Sequence, residues 1–306
     1  MTSSKNTVTT SRVPTGAPIP SLFSQLMPLS ADAQLFFSLL PESGATDDIE
    51  IMNDRFAGRG KNAAWLPIRT TDAGLDGTVQ TLKLFGNLAG LAIHAPFQQA
   101  MLRHLDSLSP LGRLAGIADV ARRTADGGWE GGIAALPAFR RTLRAEGVDP
   151  HGAKVWLIGA DGRAVASALS LAEQGVASLT VADKRLDAAM ALTGRVRAAF
   201  PGLPVSVGVP GPESIDIVVD NLSATGAGTA QAMASPEKLR PDTLVIDGLA
   251  RRTPGRFVAT SRKAGLPVIG GDCLLVQLLA VYDEFFGWSR IPYKDGTLRD
   301  AVKAAA

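Results

Sequence analysis

The chain has 306 residues, 46% hydrophobic and 20% charged, enough for two globular units with substantial cores. A formal net charge of +2 gives no electrostatic case for nucleic acid or a membrane surface, and a single cysteine, Cys273, excludes an internal disulfide and suits a reducing, cytoplasmic setting. The three scattered histidines form no metal-ligand pattern, and no apolar run approaches the roughly 20 residues of a membrane span.

Residues 1 to about 30 are rich in Ser, Thr and Pro and read as a flexible tail. Leu35 to Leu40 (LFFSLL) is predicted to be a strand. Asp47 and Asp48 suit the N-terminus of a helix that Gly58 and Gly60 end. Next come a strand at Ala63–Ile68, a helix at Leu75–Phe85 and a strand at Leu88–His94. Pro96 is expected to open a helix running to Leu105, because proline is tolerated at the first helical position. Alternating strands and helices imply a mostly parallel sheet. Ala115–Arg123 reads as another strand, with Asp126-Gly127-Gly128 as a hairpin turn and Leu136–Glu146 as a helix.

The stretch from Lys154 to Asp183 carries the clearest signal. An apolar run, Val155–Ile158, leads into Gly159-Ala160-Asp161-Gly162-Arg163, then an alanine-rich helix closed by Gly175, then a strand from Ser178 to Ala182 ending on Asp183. Glycines at a strand-to-helix turn let the backbone approach a pyrophosphate, and the helix start offers free N–H groups. Asp183 stands where a ribose-binding acid is expected, followed by Lys184 and Arg185. Asp161, however, stands where the middle glycine belongs, and its carboxylate would face another anion. Asp183 favours NAD, through a free 2′-hydroxyl; Lys184 and Arg185 suit the 2′-phosphate of NADP. The lean is slightly to NAD.

Beyond this unit, a helix at Leu186–Phe200, strands at Val205–Val209, Asp216–Asp220 and Leu244–Asp247, a helix at Val258–Ala264 and a strand at Leu266–Ile269 complete an open doubly wound parallel sheet. A small-residue loop is read at 223–228, a long apolar helix at Cys273–Phe286 and a short one near Leu298. The pairs Arg122-Arg123 and Arg251-Arg252 are read as solvent-facing, and Cys273 as core filler. The apolar C-terminal helices suggest a homodimer.

Four landmarks resemble the shikimate dehydrogenase family: Gly90-Leu-Ala-Ile-His-Ala-Pro-Phe-Gln-Gln-Ala100, Gly116-Ile-Ala-Asp-Val-Ala, the turn at Gly159, and Gly270-Gly-Asp-Cys-Leu-Leu-Val-Gln277. They fall in the family's order across roughly residues 33 to 290. The resemblance implies an α/β substrate domain at 31–135 joined by 273–306, and a Rossmann-like NAD(P)-binding domain at 136–272. It also implies hydride transfer between a nicotinamide and an alcohol carbon, with a lysine and an aspartate at the reacting hydroxyl.

This sequence departs from that pattern. The family lysine falls on Gln98, its motif threonine on His94, its aspartate on Ala135, and the serines that hold the substrate carboxylate near Thr46 and Asp48. Asn53 and Gln277 match substrate-side positions, and Asp119 replaces a family asparagine. Glutamine does not titrate, and losing one acid/base group costs typically about 10²–10⁴-fold. The expectation is a shikimate dehydrogenase-like NAD(P)-dependent oxidoreductase with an altered site, acting on a small molecule other than shikimate. His94 and Gln98 stand in the catalytic positions, and no useful shikimate turnover is expected. The alternatives are an inactive relative that binds a nucleotide or small molecule, and a non-redox enzyme using His94 as acid and base.

Overall fold

The computed structural model describes residues 29–44, 46–222 and 235–288. Residues 1–28 of the tail, the loop at 223–228 and the helix near Leu298 lie outside the described residues. Two six-stranded sheets organise the chain.

The first sheet has the order β2-β1-β3-β5-β6-β4. Its strands are β1 (Gln34–Pro41), β2 (Ala63–Thr70), β3 (Leu88–Ile93), β4 (Ser107–Leu108), β5 (Val120–Arg123) and β6 (Trp129–Gly132). Helices α1 (Asp48–Gly58), α2 (Leu75–Lys83) and α3 (Pro110–Ala115) connect them. β1, β2 and β3 run parallel, as the alternation predicts. β3, β5 and β6 pair antiparallel, so the sheet is mixed. The expected strand at Ala115–Arg123 shortens to β5, because α3 extends to Ala115 and Gly116 turns the chain at φ +61°. The hairpin at Asp126–Gly128 forms, and the Thr124 N–H donates to Gly128 O.

The helix expected from Pro96 does not form as a regular helix. Residues 94–105 run through turns and one short 3₁₀ segment, Ala100–His104. Phe97, Gln98 and Met101 are all buried there. The Gln98 carbonyl instead accepts from the Ala118 N–H, and its side chain donates to Ile93 O, so bonds to other segments take the place of a regular helical ladder.

The second sheet runs β12-β11-β10-β7-β8-β9, all parallel. Its strands are β7 (Lys154–Ile158), β8 (Ser178–Ala182), β9 (Val205–Val207), β10 (Ile217–Asp220), β11 (Leu244–Asp247) and β12 (Val268–Ile269). Read from β9, this is the order 3-2-1-4-5-6 of doubly wound nucleotide-binding sheets, with the switch point between β7 and β10. α4 (Ala135–Ala145) precedes the sheet; α5 (Gly162–Glu173), α6 (Leu186–Ala199) and α7 (Arg256–Lys263) lie within it.

The last described helix, α8 (Gly271–Phe285), packs against α4 and α1. Phe36, Phe56, Trp65, Tyr282, Phe286 and Trp288 form one aromatic cluster with ring centroids 4.7–6.4 Å apart. A side-chain carbon on Gly90 would strike the Phe286 ring, and one on Gly132 would strike Phe285. These two glycines let α8 settle onto the sheet. Asp283 on α8 bridges Arg55 on α1 and Arg59 just past its end, all three largely buried, which ties the C-terminal helix to the first sheet.

Candidate active site

A cleft of ≈ 1300 Å³ opens between the C-terminal ends of both sheets, at the switch point where ligands sit in such folds. On one side it is lined by Thr46, Asp48, His94, Gln98, Asp119, Ala135 and Tyr282. On the other it is lined by the turn from Gly159 to Arg163, by Asp183, Lys184 and Arg185, and by α6 as far as Arg195.

Asp48 is built in from the sheet. Trp65 is fully buried, and its indole N–H donates to Ser38 Oγ at 2.8 Å. Ser38 in turn donates to Asp48 at 3.2 and 3.3 Å, and Thr46 Oγ1 donates to Asp48 Oδ1 at 2.7 Å. Asp48 is 1% exposed, so these donors replace the water it loses. His94 follows β3, its side chain partly exposed to the cleft. Its Nε2 stands 3.6 Å from Asp48 Oδ2, within ion-pair range but longer than a hydrogen bond.

Asp119 sits just before β5 and caps α4 from across the chain. Its Oδ1 accepts from the Ala134 N–H at 2.5 Å, and its Oδ2 from the Ala135 N–H at 2.8 Å. Burial raises its pKa to about 6, against the lowering pull of the two N–H groups and of His94. Tyr282 lies beneath both acids, stacked on Trp65 at 5.6 Å. Its phenol is held well above the ordinary tyrosine range, first by burial and then by the charges of Asp48 and Asp119. It therefore remains a neutral O–H donor at physiological pH.

Gln98 is buried. Its Nε2 donates to Ile93 O at 3.0 Å, while its Oε1 has no hydrogen-bond partner. That oxygen lies against Gly162, and a side-chain carbon on Gly162 would collide with it. Gln98 therefore spans the gap between the first sheet and the glycine turn.

Two expected substrate residues are placed elsewhere. Asn53 gives both ends of its amide to Trp65, donating to its carbonyl at 2.7 Å and accepting from its N–H at 2.8 Å. It joins α1 to β2 and does not line the cleft. Gln277 does not line it either; Leu274, Leu275, Leu278 and Tyr282 form the inward stripe of α8, and position 277 falls beside that stripe. Sequence reasoning missed Ser38 and Tyr282. Ser38 carried a signal, as the one polar residue inside LFFSLL; Tyr282 carried none.

In the turn, Gly159 has φ +95°, a conformation glycine adopts without strain. The Ala160 N–H donates to Asp183 Oδ2 at 2.8 Å, and the Arg185 N–H to Asp183 Oδ1 at 2.9 Å. The Asp183 carboxylate is only 6% exposed and clamps the turn. Its pKa is lowered: hydrogen bonds from Arg185 and Ala160 and the Arg185 charge outweigh burial, the largest single influence, which pushes the other way. Asp161 is the N-cap of α5 and accepts from the Arg163 N–H at 3.0 Å and the Ala164 N–H at 3.3 Å. The Arg163 Nε and Arg195 Nη1 are buried without hydrogen-bond partners. The arginine pairs are less exposed than expected. Arg251 binds Asp247 at 2.9 Å, Arg252 reaches Asp47 and Glu50 on the α1 side, and Arg122 bonds Glu130 and Phe285 O. Nearby acids and carbonyls hold them more tightly than water does.

Among the described residues, no group of three or more His, Cys, Asp or Glu side chains forms a metal site, and no helix is long and apolar enough to cross a membrane.

A doubly wound parallel sheet joined to a mixed α/β sheet across one cleft is the architecture of two-unit dehydrogenases. The chain has the shikimate dehydrogenase fold: a shikimate dehydrogenase crystallised in complex with NADP+ matches at a TM-score of 0.77 and 17% identity, over 90% of this chain and 97% of that one. A ligand-free 5-ketofructose reductase of Gluconobacter sp. strain CHM43 matches at a TM-score of 0.72 and 20% identity, over 90% and 99%. The shikimate dehydrogenase (NADP+) of Anaeromyxobacter dehalogenans is 28% identical over 261 residues, 83% of this chain and 90% of that protein. No protein-family model matches the chain. In sequence and in fold the chain is similar to the shikimate dehydrogenases.

Proposed function

We propose that this protein is an NAD(P)-dependent oxidoreductase acting on the alcohol or carbonyl carbon of a small polar molecule other than shikimate, either uncharged or carrying an amine. The first sheet with α8 would receive the substrate, and the second sheet the dinucleotide. The observation that carries the substrate reading is the buried Asp48 carboxylate, standing where the resemblance places a carboxylate-binding serine. Asp119 adds a second acid to the same wall. A carboxylate substrate would meet like charges in a poorly hydrated pocket. A hydroxyl or ammonium would instead find acceptors. The structural likeness to a reductase of the sugar 5-ketofructose supports the same direction.

The residues that would hold the dinucleotide are Gly159, Ala160, Gly162 and Arg163 at the turn, with Asp183, Lys184 and Arg185 at the ribose end. The backbone at Gly159 and the acid at the tip of β8 fit such a group; Asp161 crowds its phosphate end. When bound, the dinucleotide supplies or accepts the hydride. The protein's own part is to hold the hydroxyl and move its proton. Gln98 cannot take that proton, and its Oε1 is turned to Gly162 at the glycine turn. His94 lines the cleft with its Nε2 turned toward Asp48 at 3.6 Å, and a side-chain rotation would bring it to the hydroxyl to exchange the proton. Tyr282 contributes a neutral O–H donor from below.

The test is nucleotide titration, then a screen of polyols, keto-sugars and amino alcohols for substrate-dependent change in NAD(P)H absorbance. The expected outcome is turnover on an uncharged or amine-bearing substrate, with shikimate at least tenfold slower than for an ordinary shikimate dehydrogenase. Shikimate turnover within tenfold of such an enzyme would overturn the substrate reading. His94→Ala is expected to lower kcat by about 10²-fold or more; full activity would remove His94 from the mechanism. Asp161 favours a second reading, a relative without redox activity, and failure to bind any of the four nicotinamide dinucleotides would select it.

A further inference from the structure

We propose that the Asp161 carboxylate occupies the seat of the dinucleotide's pyrophosphate at the start of α5, so that a dinucleotide binds only by displacing it. The inference rests on the oxidoreductase reading above and concerns the one residue of the turn that opposes it.

A helix N-terminus attracts phosphate because its first N–H groups lack partners. Here the second and third of those donors, the Arg163 and Ala164 N–H groups, are taken, and so are the Gly159 and Ala160 N–H groups of the turn before them. The Gly159 N–H donates to Ala182 O, Ala160 to Asp183, and Arg163 and Ala164 to the Asp161 side chain. The Val165 N–H donates to Asp161 O, the ordinary first bond of the helix. Asp161 thus supplies from within the chain the negative charge that a bound phosphate would bring. A second acceptor faces the same place. Gln98 Oε1 is buried, has no hydrogen-bond partner, and points at Gly162, the first residue of α5. A phosphate, which only accepts, would meet a carboxylate and a carbonyl oxygen where it needs donors.

Displacement remains physically accessible. Asp161 is half-buried and lines the cleft, and its side chain makes only these two capping bonds. A capping interaction of this kind is worth about tenfold in an equilibrium constant. The carboxylate therefore sets dinucleotide affinity without closing the site. Glycine at 161 would release the donors and remove the charge. Asparagine would keep a cap and remove only the charge.

The experiment is fluorescence or calorimetric titration of the full chain with NAD+ and NADP+, and with adenosine as a ligand that lacks phosphate. Wild type is compared with Asp161→Gly and Asp161→Asn, each checked for folding by circular dichroism. Asp161→Gly is expected to lower the dinucleotide Kd about tenfold or more, Asp161→Asn by a smaller factor, and neither to change adenosine binding. Equal or weaker dinucleotide binding by both folded variants would overturn the inference and leave the oxidoreductase reading standing. If no form binds either dinucleotide, that reading falls and takes the inference with it. Asp161→Asn covers the case in which the glycine variant fails to fold, because it preserves the cap.

Discussion

Two of the helices that begin at this cleft are capped by a carboxylate. At α5 the acid is local: Asp161 caps the helix that follows it, through the Arg163 and Ala164 N–H groups. At α4 it is remote: Asp119, about fifteen residues earlier, reaches across to the Ala134 and Ala135 N–H groups. Asp161 is half-buried, and Asp119 is 7% exposed. The comparison teaches that at these two helix starts the protein's own acids take the place an anion would fill. One can be vacated by a side-chain rotation into open space. The other is locked into the core and is part of the wall. On the proposed reading, this difference would let one molecule keep a place for a dinucleotide while disfavouring an anionic substrate.

The largest expected effect is on the locked acid. Asp119→Ala leaves two buried N–H groups without partners, at about 1–3 kcal/mol each. The cost depends on pH. The folded pKa of about 6 lies above the ordinary 3.8, so between those values the native state holds more protons than the unfolded state. The stability tied to this proton is fully present below about pH 4 and is lost as pH rises through about 6. Asp119→Ala should therefore cost more at pH 4.5 than at pH 8, by roughly 1–3 kcal/mol. Urea midpoints of both proteins at the two pH values check this. A difference of the opposite sign would break the contrast between the two caps.

Asp48 comes next. Asp48→Ser removes the negative charge that stands near the locked cap. It is expected to shift the preference between shikimate and an uncharged polyol toward shikimate by about tenfold, equivalent to about 1.4 kcal/mol. Competition binding measures that ratio, and no shift would assign the discrimination to Asp119 alone. The smallest effect belongs to the vacatable cap. Asp161→Ala should destabilise the fold by about 0.5–2 kcal/mol, the ordinary value of an N-cap. Thermal unfolding without ligand reads it. A loss as large as that of Asp119→Ala would mean the two caps are not different in kind.

The glycine turn, the acid at 183 and the parallel order of the second sheet were legible because they depend on short-range patterns: an apolar run, a turn, a helical repeat. Position 161 was legible as an anomaly for the same reason. The helix expected at Pro96 gives way to turns and a 3₁₀ segment, because Gln98 bonds to Ala118 and Ile93 in other segments and those bonds are invisible to local propensity. Asn53 and Gln277 entered through the family resemblance; the structure ties Asn53 to Trp65, and neither residue lines the cleft. Asp119 was placed at the cleft by the same resemblance, but its bonds to Ala134 and Ala135 join segments that the pattern of either one leaves independent.

By itself, then, the sequence determined most of the succession of elements, the switch-point turn and the presence of non-titratable side chains at Gln98 and Ala135. Backbone propensity, hydrophobic periodicity and the chemistry of each side chain are properties of neighbours along the chain. Only the tertiary structure decided that Ser38 and Trp65 hold Asp48 in place, that Tyr282 comes beneath two acids, and that Gln98 reaches Gly162. Those contacts join residues from 10 to more than 200 positions apart, and no local rule encodes them. They exist because burial brings the C-terminal ends of two sheets and the returning helix to one place, where each polar group must find a partner or remain without one.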